Sequence, residues 1–351
     1  MEKRICQNTG LELSVLGLGC WSFGGGGSDY WGQRDQKDVE DIVRTALDLG
    51  INYFDTAEIY NDGRSEISLG QAIKGIPRAE IIIGSKVSPA NCQPATLVEH
   101  CEASLRRLQT DYLDLYMIHW PVHSKAIKSF TQDEDKINHP PPIKDVYETL
   151  LKLRQAGKIR HIGISNFAVS KLKELPERSE IAINQLAYNL ISRAIEIEVL
   201  PYCAQYGIGV MGYMGLMQGI LADKWPTFDD IPPLRRRTRH FDSRKIQASR
   251  TGEYGFETET AQALADIKNI AQEIGCSMAD LSLKWIQANP FVTCNLVGAS
   301  STKQIKANAK ALEQKLSPAI VEQLNRATQA LKEGLGNHID LFEGAANDRT
   351  I

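Results

Sequence analysis

Apolar residues recur along this chain in two alternating rhythms. Short, nearly continuous apolar runs occur at Val15–Cys20, Tyr53–Thr56, Ile81–Ser85, Leu113–His119, His161–Ser165, Ile181–Gln185, Ile208–Tyr213 and Val292–Val297. Runs of this length between turn-forming residues read as strands. Longer stretches with helical spacing lie between them: Gln36–Leu49, Arg64–Ile73, Ala95–Leu108, Ile143–Gln155, Ala168–Leu175, Ile195–Gln205, and two within Glu259–Ala288. Gly50, Gly157 and Gly207 stand where helix C-caps are needed before the next strand. Strand followed by helix, repeated around the chain, predicts parallel strands joined by crossovers. Eight such units close into a (β/α)8 barrel, so the fold class is α/β and residues 1–351 read as one barrel domain.

Several segments fall outside the repeat. Lys3–Cys6 and Leu11–Ser14, joined through Asn8-Thr9-Gly10, read as an N-terminal β-hairpin placed to plug the barrel floor. Helix Thr302–Leu312 and the tail after Leu316 add C-terminal helices. Two insertions, Pro121–Pro142 and Trp225–Phe256, follow strands, which puts both on the face where barrel enzymes do their chemistry.

Composition narrows the function. Of 351 residues, 42% are hydrophobic and 24% charged, as in ordinary globular proteins. A net charge of −3 gives no reason to expect nucleic acid or an acidic membrane as partner. The cysteines (Cys6, Cys20, Cys92, Cys101, Cys203, Cys276 and Cys294) form no C-x-x-C pair, so no metal is expected and the thiols read as reduced. The opening MEKRICQNTG has no apolar signal core, and no apolar run reaches the ~18 residues of a membrane span. The expected location is cytoplasmic.

The candidate chemistry sits at strand ends. Asp55 closes the second strand, Tyr60 follows in the loop, Lys86 closes the third strand and His119 the fourth. Barrel topology makes such positions converge on one rim. Reduction of a carbonyl needs a hydride, which no side chain supplies, and therefore a cofactor. It also needs a proton for the developing alkoxide. A lysine ammonium beside a tyrosine favours the phenolate and lowers its pKa, while a carboxylate keeps the buried lysine charged. A histidine donating to the carbonyl oxygen orients it. Asp55, Tyr60, Lys86 and His119 thus make chemical sense as one proton-delivery unit.

These residues lie within segments that resemble the aldo-keto reductases: Asp55-Thr56-Ala57-Glu58-Ile59-Tyr60-Asn61 with Ser65-Glu66, then Ser85-Lys86, His119-Trp120, Gly163-Ile164-Ser165-Asn166-Phe167, Asn184-Gln185, Gly219-Ile220-Leu221 and Gly298-Ala299-Ser300-Ser301. The resemblance runs in order over nearly the whole chain. It implies a catalytic tetrad of Asp55, Tyr60, Lys86 and His119, and a nicotinamide dinucleotide across the barrel mouth. By the same resemblance, Ser165, Asn166 and Gln185 bond the carboxamide and Tyr213 stacks on the nicotinamide ring. Trp21 and Asp55 join the cofactor contacts. The loop containing Met214, Leu216, Gln218 and Lys224 wraps the pyrophosphate. Met214-Gly215-Leu216 and Ala222-Asp223-Lys224 stand where relatives often carry Ser-Pro-Leu and Thr-Gly-Lys. That removes a hydroxyl and adds a carboxylate beside the phosphates.

By the same resemblance, Gly298, Ser300, Lys303, Gln304 and Asn308 belong to the segment that holds the adenosine, at a helix N-terminus that suits an anion. Lys303 and Lys306 favour the 2′-phosphate of NADP(H), with NAD(H) as the alternative; no Arg occupies this segment. Tyr60, His119, Trp31 and Trp120 are the expected substrate contacts. With Trp21 and Tyr30 they suggest a pocket for a small carbonyl or alcohol, such as a sugar. Arg235-Arg236-Arg237 and Arg239 form either a solvated loop or a clasp over pyrophosphate or an anionic substrate. The implied function is an NAD(P)H-dependent carbonyl reductase, or the reverse oxidation, as a monomer or a larger assembly. The alternatives are a cofactor-binding regulatory subunit with little turnover, and a Schiff-base enzyme built on Lys86.

Overall fold

The computed structural model describes residues 1–25, 34–225 and 227–351. Eight parallel strands close on themselves: β3 (Leu16–Gly19), β4 (Tyr53–Asp55), β5 (Ile82–Val87), β6 (Leu113–Ile118), β7 (Ile159–Ser165), β8 (Ile181–Ala187), β9 (Gly209–Tyr213) and β10 (Val292–Val297), with β10 bonded back to β3. The expected barrel is present. Before it, β1 (Lys3–Ile5) and β2 (Glu12–Ser14) form the expected antiparallel hairpin.

Side chains alternate along each strand, so one set points inward. Tyr53, Leu115, Met117, Ile183, Met211, Cys294 and Leu296 fill the barrel, and Cys6, Leu11 and Leu13 of the hairpin join the same cluster. The hairpin therefore does plug the floor. A Cβ at Gly84 would run into the Tyr53 hydroxyl, so the Tyr53 ring crosses the barrel only because β5 has no side chain there. Outside, helices bury one stripe each against the strands. In Gln36–Asp48 the stripe is Val39, Ile42, Val43 and Ala46, an i, i+3, i+4, i+7 pattern.

Two helices are shorter than their periodicity suggested. Ala168–Leu175 shrinks to Val169–Leu172. Ile195–Gln205 becomes a tight turn at Ala194–Glu196 followed by a helix over Val199–Gln205. Pro201 explains the break, because it lacks the N–H that would bond the Ile197 carbonyl.

The insertions are built structures. The first carries short helices Ser124–Ile127 and Glu134–Asn138, whose Ile127 and Ile137 pack with Ala90 and Phe130. The second buries Ile231, Phe241 and Ile246. Arg239 is no solvated residue: its Nε donates to Glu253 at 2.8 Å and its Nη1 to the Leu335 carbonyl at 2.9 Å. Beyond helices Pro318–Ala327 and Gln329–Leu335, the tail returns across the rim. There the Thr350 carbonyl accepts from the Ala168 N–H at 3.1 Å, and the Leu341 carbonyl from the Arg239 N–H at 2.9 Å. All seven cysteines are free, and no helix among the described residues is long and apolar enough to cross a membrane.

His240, fully buried, ties the second insertion to the barrel through the Ile191 carbonyl, 2.6 Å from its Nε2. Burial pushes its pKa down to about 4. The unfolded chain takes up a proton near pH 6.5 that the folded chain refuses. Stability is therefore full above that pH and falls as pH drops toward about 4, by a total of about 3 kcal/mol. The urea midpoint is expected to decline between pH 6.5 and 4.5, and His240→Gln to flatten the decline. Equal slopes in both proteins would assign the acid sensitivity elsewhere.

Candidate active site

The parallel register sets Asp55 beside Gly84 and Lys86 beside Met117, so Asp55 and Lys86 share the inward row at the top of the barrel. Tyr60 swings over them from the turn after β4, where its N–H donates to the Ala57 carbonyl at 3.0 Å. His119 follows β6, with its N–H bonded to the Val87 carbonyl at 2.9 Å. Neighbouring strands thus bring the four predicted residues together.

The fully buried Lys86 ammonium uses all three of its protons. Nζ donates to Asp55 Oδ2 at 2.6 Å, to the Thr56 carbonyl at 2.9 Å and to Tyr60 Oη at 3.2 Å. Asp55 Oδ1 accepts from the Tyr53 hydroxyl at 3.1 Å and from Gln185 Nε2 at 2.8 Å. Because Tyr60 Oη accepts from Lys86, its own proton stays free for a ligand. The His119 ring meets Tyr60 edge-on, with centroids 5.6 Å apart, and its buried Nδ1 has no hydrogen-bond partner among the described residues.

Burial opposes the charge on Lys86, but Asp55 and Tyr60 together outweigh it and hold its pKa above the ordinary value. Tyr60 departs from the sequence expectation. Its pKa is raised, since burial and the Asp55 carboxylate outweigh the pull of Lys86 toward the phenolate. Burial, then the charges of Lys86 and Arg349, push His119 well below the usual histidine value, so the imidazole is neutral at pH 7. A neutral imidazole still donates one hydrogen bond.

A second group adjoins the first. Ser165 ends β7 opposite Gln185 on β8. Asn166 takes a left-handed conformation (φ 64°), from which Nδ2 reaches Ser165 Oγ at 2.9 Å and the His119 carbonyl at 3.3 Å. Its Oδ1 accepts from the Tyr213 hydroxyl at 2.8 Å. Met214, Met217, Gln218 and Gly219 all have positive φ, which coils the loop after β9 tightly enough that the Met217 N–H donates to the Met214 carbonyl at 2.7 Å and the Gly219 N–H to the Leu216 carbonyl at 2.9 Å. Leu216 lies within this coil, and the exposed Lys224 lays its stem over Gly219. The added carboxylate of Asp223 is neutralised by Lys268, 2.9 Å away on helix Glu257–Glu273.

After β10, a Cβ at Gly298 would stand in ordinary contact with the Gly19 carbonyl oxygen, 3.7 Å away. Ser300 donates its N–H and Oγ to Gln304 Oε1 at 2.6 and 2.8 Å. Lys303 and Lys306 are exposed, and Asn308 is buried on the same helix. Arg34, far away in sequence, reaches the same corner, with Nη1 donating to the Ser300 carbonyl at 2.9 Å. An arginine does therefore stand at this segment, brought by the chain before the first barrel helix, which local sequence reading had no way to find.

Trp21 stacks on Tyr60 at 5.8 Å between centroids. Phe130, not singled out in the sequence, lies 6.0 Å from His119. Trp120 is nearly buried, with the Arg349 guanidinium 3.9 Å above its ring. Trp31, an expected substrate contact, and Tyr30 lie outside the described residues. Glu58 was also overlooked: Oε1 accepts from the Ser88 N–H at 2.8 Å and from Asn91 at 2.9 Å, and Oε2 lies 2.6 Å from His100 Nδ1. It ties the turn carrying Tyr60 to the loop following Lys86. Among the described residues no cluster suited to a metal ion occurs.

The profile of the Aldo/keto reductase family matches residues 15–329. The Aldo-keto reductase YhdN of Bacillus subtilis (strain 168) is 34% identical over 321 residues, covering 88% of this chain and 87% of that one. The NADH-specific methylglyoxal reductase of Escherichia coli (strain K12) is 30% identical, covering 95% of this chain and 100% of its own length. Among solved structures, an aldo-keto reductase from Klebsiella pneumoniae in complex with NADPH aligns with a TM-score of 0.68 at 29% identity, covering 93% of this chain and 95% of that one. The chain belongs to the aldo/keto reductase family.

Proposed function

We propose that the chain reduces a small aldehyde or ketone to the alcohol, or runs the reverse oxidation, with NADP(H) as cofactor and Tyr60 as the proton donor. The observation that carries this is the Lys86–Tyr60 bond, which leaves the Tyr60 proton free above a buried Asp55–Lys86 pair. The donor set fits a nicotinamide dinucleotide. Ser165, Asn166 and Gln185 offer amide and hydroxyl groups to the carboxamide, and Tyr213 offers its ring. Beside the coiled loop Met214–Gln218, the exposed Lys224 offers a cation to the pyrophosphate. The cofactor, when bound, supplies the hydride.

Everything else falls to the chain's own residues. His119, neutral, donates to the substrate oxygen and fixes its direction. Tyr60 delivers its proton to the same oxygen as charge develops there. Lys86 stabilises the phenolate left behind, and Asp55 keeps Lys86 charged. Trp21 and Phe130 wall the mouth and limit water at the reacting carbonyl. The free thiols and the lack of a membrane-crossing helix among the described residues support a cytoplasmic barrel enzyme acting on a small molecule.

Lys303, Lys306 and Arg34 support NADPH over NADH, because each places positive charge near Ser300, at the corner assigned to the 2′-phosphate. The purified chain is expected to quench NADPH fluorescence on binding and to consume NADPH with a panel of aldehydes. Lys303→Ala with Lys306→Ala should weaken NADPH roughly tenfold to a hundredfold, since a charge-assisted bond contributes about 1.5–3 kcal/mol. NADH binding should hardly change. Equal losses for both cofactors would remove the 2′-phosphate assignment, and binding without consumption of any aldehyde would favour a regulatory subunit.

A further inference from the structure

The C-terminal tail brings a cation to the reacting end of the site. Arg349 stands third from the chain's end, yet it is almost fully buried. Its Nε and Nη2 are held by the two oxygens of Asp340 at 2.7 and 2.8 Å. Its guanidinium lies flat on Trp120, the residue directly after His119, at 3.9 Å. Backbone bonds fix it on both sides. The Arg349 carbonyl lies 3.0 Å from His123 Nε2 on the loop after β6, and the Thr350 carbonyl accepts from the Ala168 N–H after β7. Arg349 is thus wedged between the rim loops that carry His119 and Asn166.

An arginine clamped in this way has lost its freedom but not its capacity. Nη1 has no hydrogen-bond partner among the described residues, so one edge of the rigid fork remains for a ligand. The charge of Arg349 is felt on both sides of the mouth: it lowers the pKa of His119, and at Tyr213 it opposes the stronger, raising effect of Asp340. A rigid guanidinium with a free edge is suited to a planar or tetrahedral oxyanion.

We propose that the carbonyl substrate carries a negatively charged group, a carboxylate or a phosphate, and that Arg349 binds it beside His119. This rests on the carbonyl-reductase reading and names the substrate class of that site. Arg349 touches no reacting atom in this scheme; it selects and holds the far end of the substrate.

The test compares aldehydes with and without an anionic group at the far end: 4-oxobutanoate against butanal for the carboxylate, and glycolaldehyde phosphate against glycolaldehyde for the phosphate. Whichever anion is natural, its kcat/KM in the wild type should exceed that of its neutral partner at least about tenfold, the scale of one charge-assisted bond. Arg349→Gln should erase that ratio and leave the neutral aldehyde within about threefold. Asp340→Asn keeps the guanidinium and should keep the ratio. Calorimetric titration of succinate into the free protein gives a readout that needs no turnover, and Arg349→Gln should raise its Kd at least about tenfold. The proposal is overturned if neutral aldehydes are preferred, if Arg349→Gln lowers both members of a pair in parallel, or if succinate binds both proteins equally. Reduction of butanal without any preference for anions would end this proposal and leave the reductase reading standing. Failure to reduce every aldehyde, with succinate binding still dependent on Arg349, would end the reductase reading and the substrate assignment with it, leaving only an anion site at Arg349.

Discussion

Tyr60→Phe is expected to lower turnover by about 10²–10⁴ on the best aldehyde found, the usual share of general acid catalysis. The substitution keeps the ring, its stacking on Trp21 and its edge contact with His119, and removes only the hydroxyl that Lys86 holds at 3.2 Å. Cofactor affinity should survive, because Ser165, Asn166, Gln185 and Tyr213 are bonded among themselves and to other groups, none of them to Tyr60. The measurement is kcat under conditions where chemistry limits turnover, together with the Kd for NADPH. Retention of more than about a tenth of the wild-type rate would show that the proton comes from elsewhere. A Schiff-base enzyme would depend on Lys86 and scarcely on Tyr60.

Lys86→Met should damage both chemistry and stability. Removing the ammonium takes away the group that stabilises the Tyr60 phenolate, so turnover falls. The loss should not add to that of Tyr60→Phe, because both changes disable one unit. The stability effect has a separate cause. Lys86 and Asp55 are a buried pair at 2.6 Å, and deleting one partner strands the other charge, typically at a cost of about 3–5 kcal/mol. Bonds from Tyr53 and Gln185 to Asp55 soften the loss without replacing the cation. Urea unfolding should show a lower midpoint for Lys86→Met, and Asp55→Asn added to it should recover much of the stability while turnover stays lost. An unchanged midpoint in the single variant would contradict the account of the buried pair.

The order of strands and helices, the hairpin plug and the convergence of Asp55, Tyr60, Lys86 and His119 were all legible in the chain. The reason is local. Each strand is a short apolar run, each helix a periodic stripe, and a closed parallel barrel places every strand's end on one rim. Gly84 shows the limit of that legibility: a glycine inside β5 is visible in the sequence, but not that it makes room for the Tyr53 ring.

What the tertiary structure alone decided depends on contacts between distant segments and on burial. Arg34 meets Ser300 and Arg349 meets Trp120 across separations that no periodicity encodes. Asp223 is paired with Lys268, a lysine from a later helix. The sign of the Tyr60 shift also needed the fold. A nearby lysine argues for a lower pKa, but desolvation scales with how deeply the phenol is buried, and here burial outweighs the lysine. Residue identities set which charges exist; the packing around them decides how strongly each is felt and which ones meet.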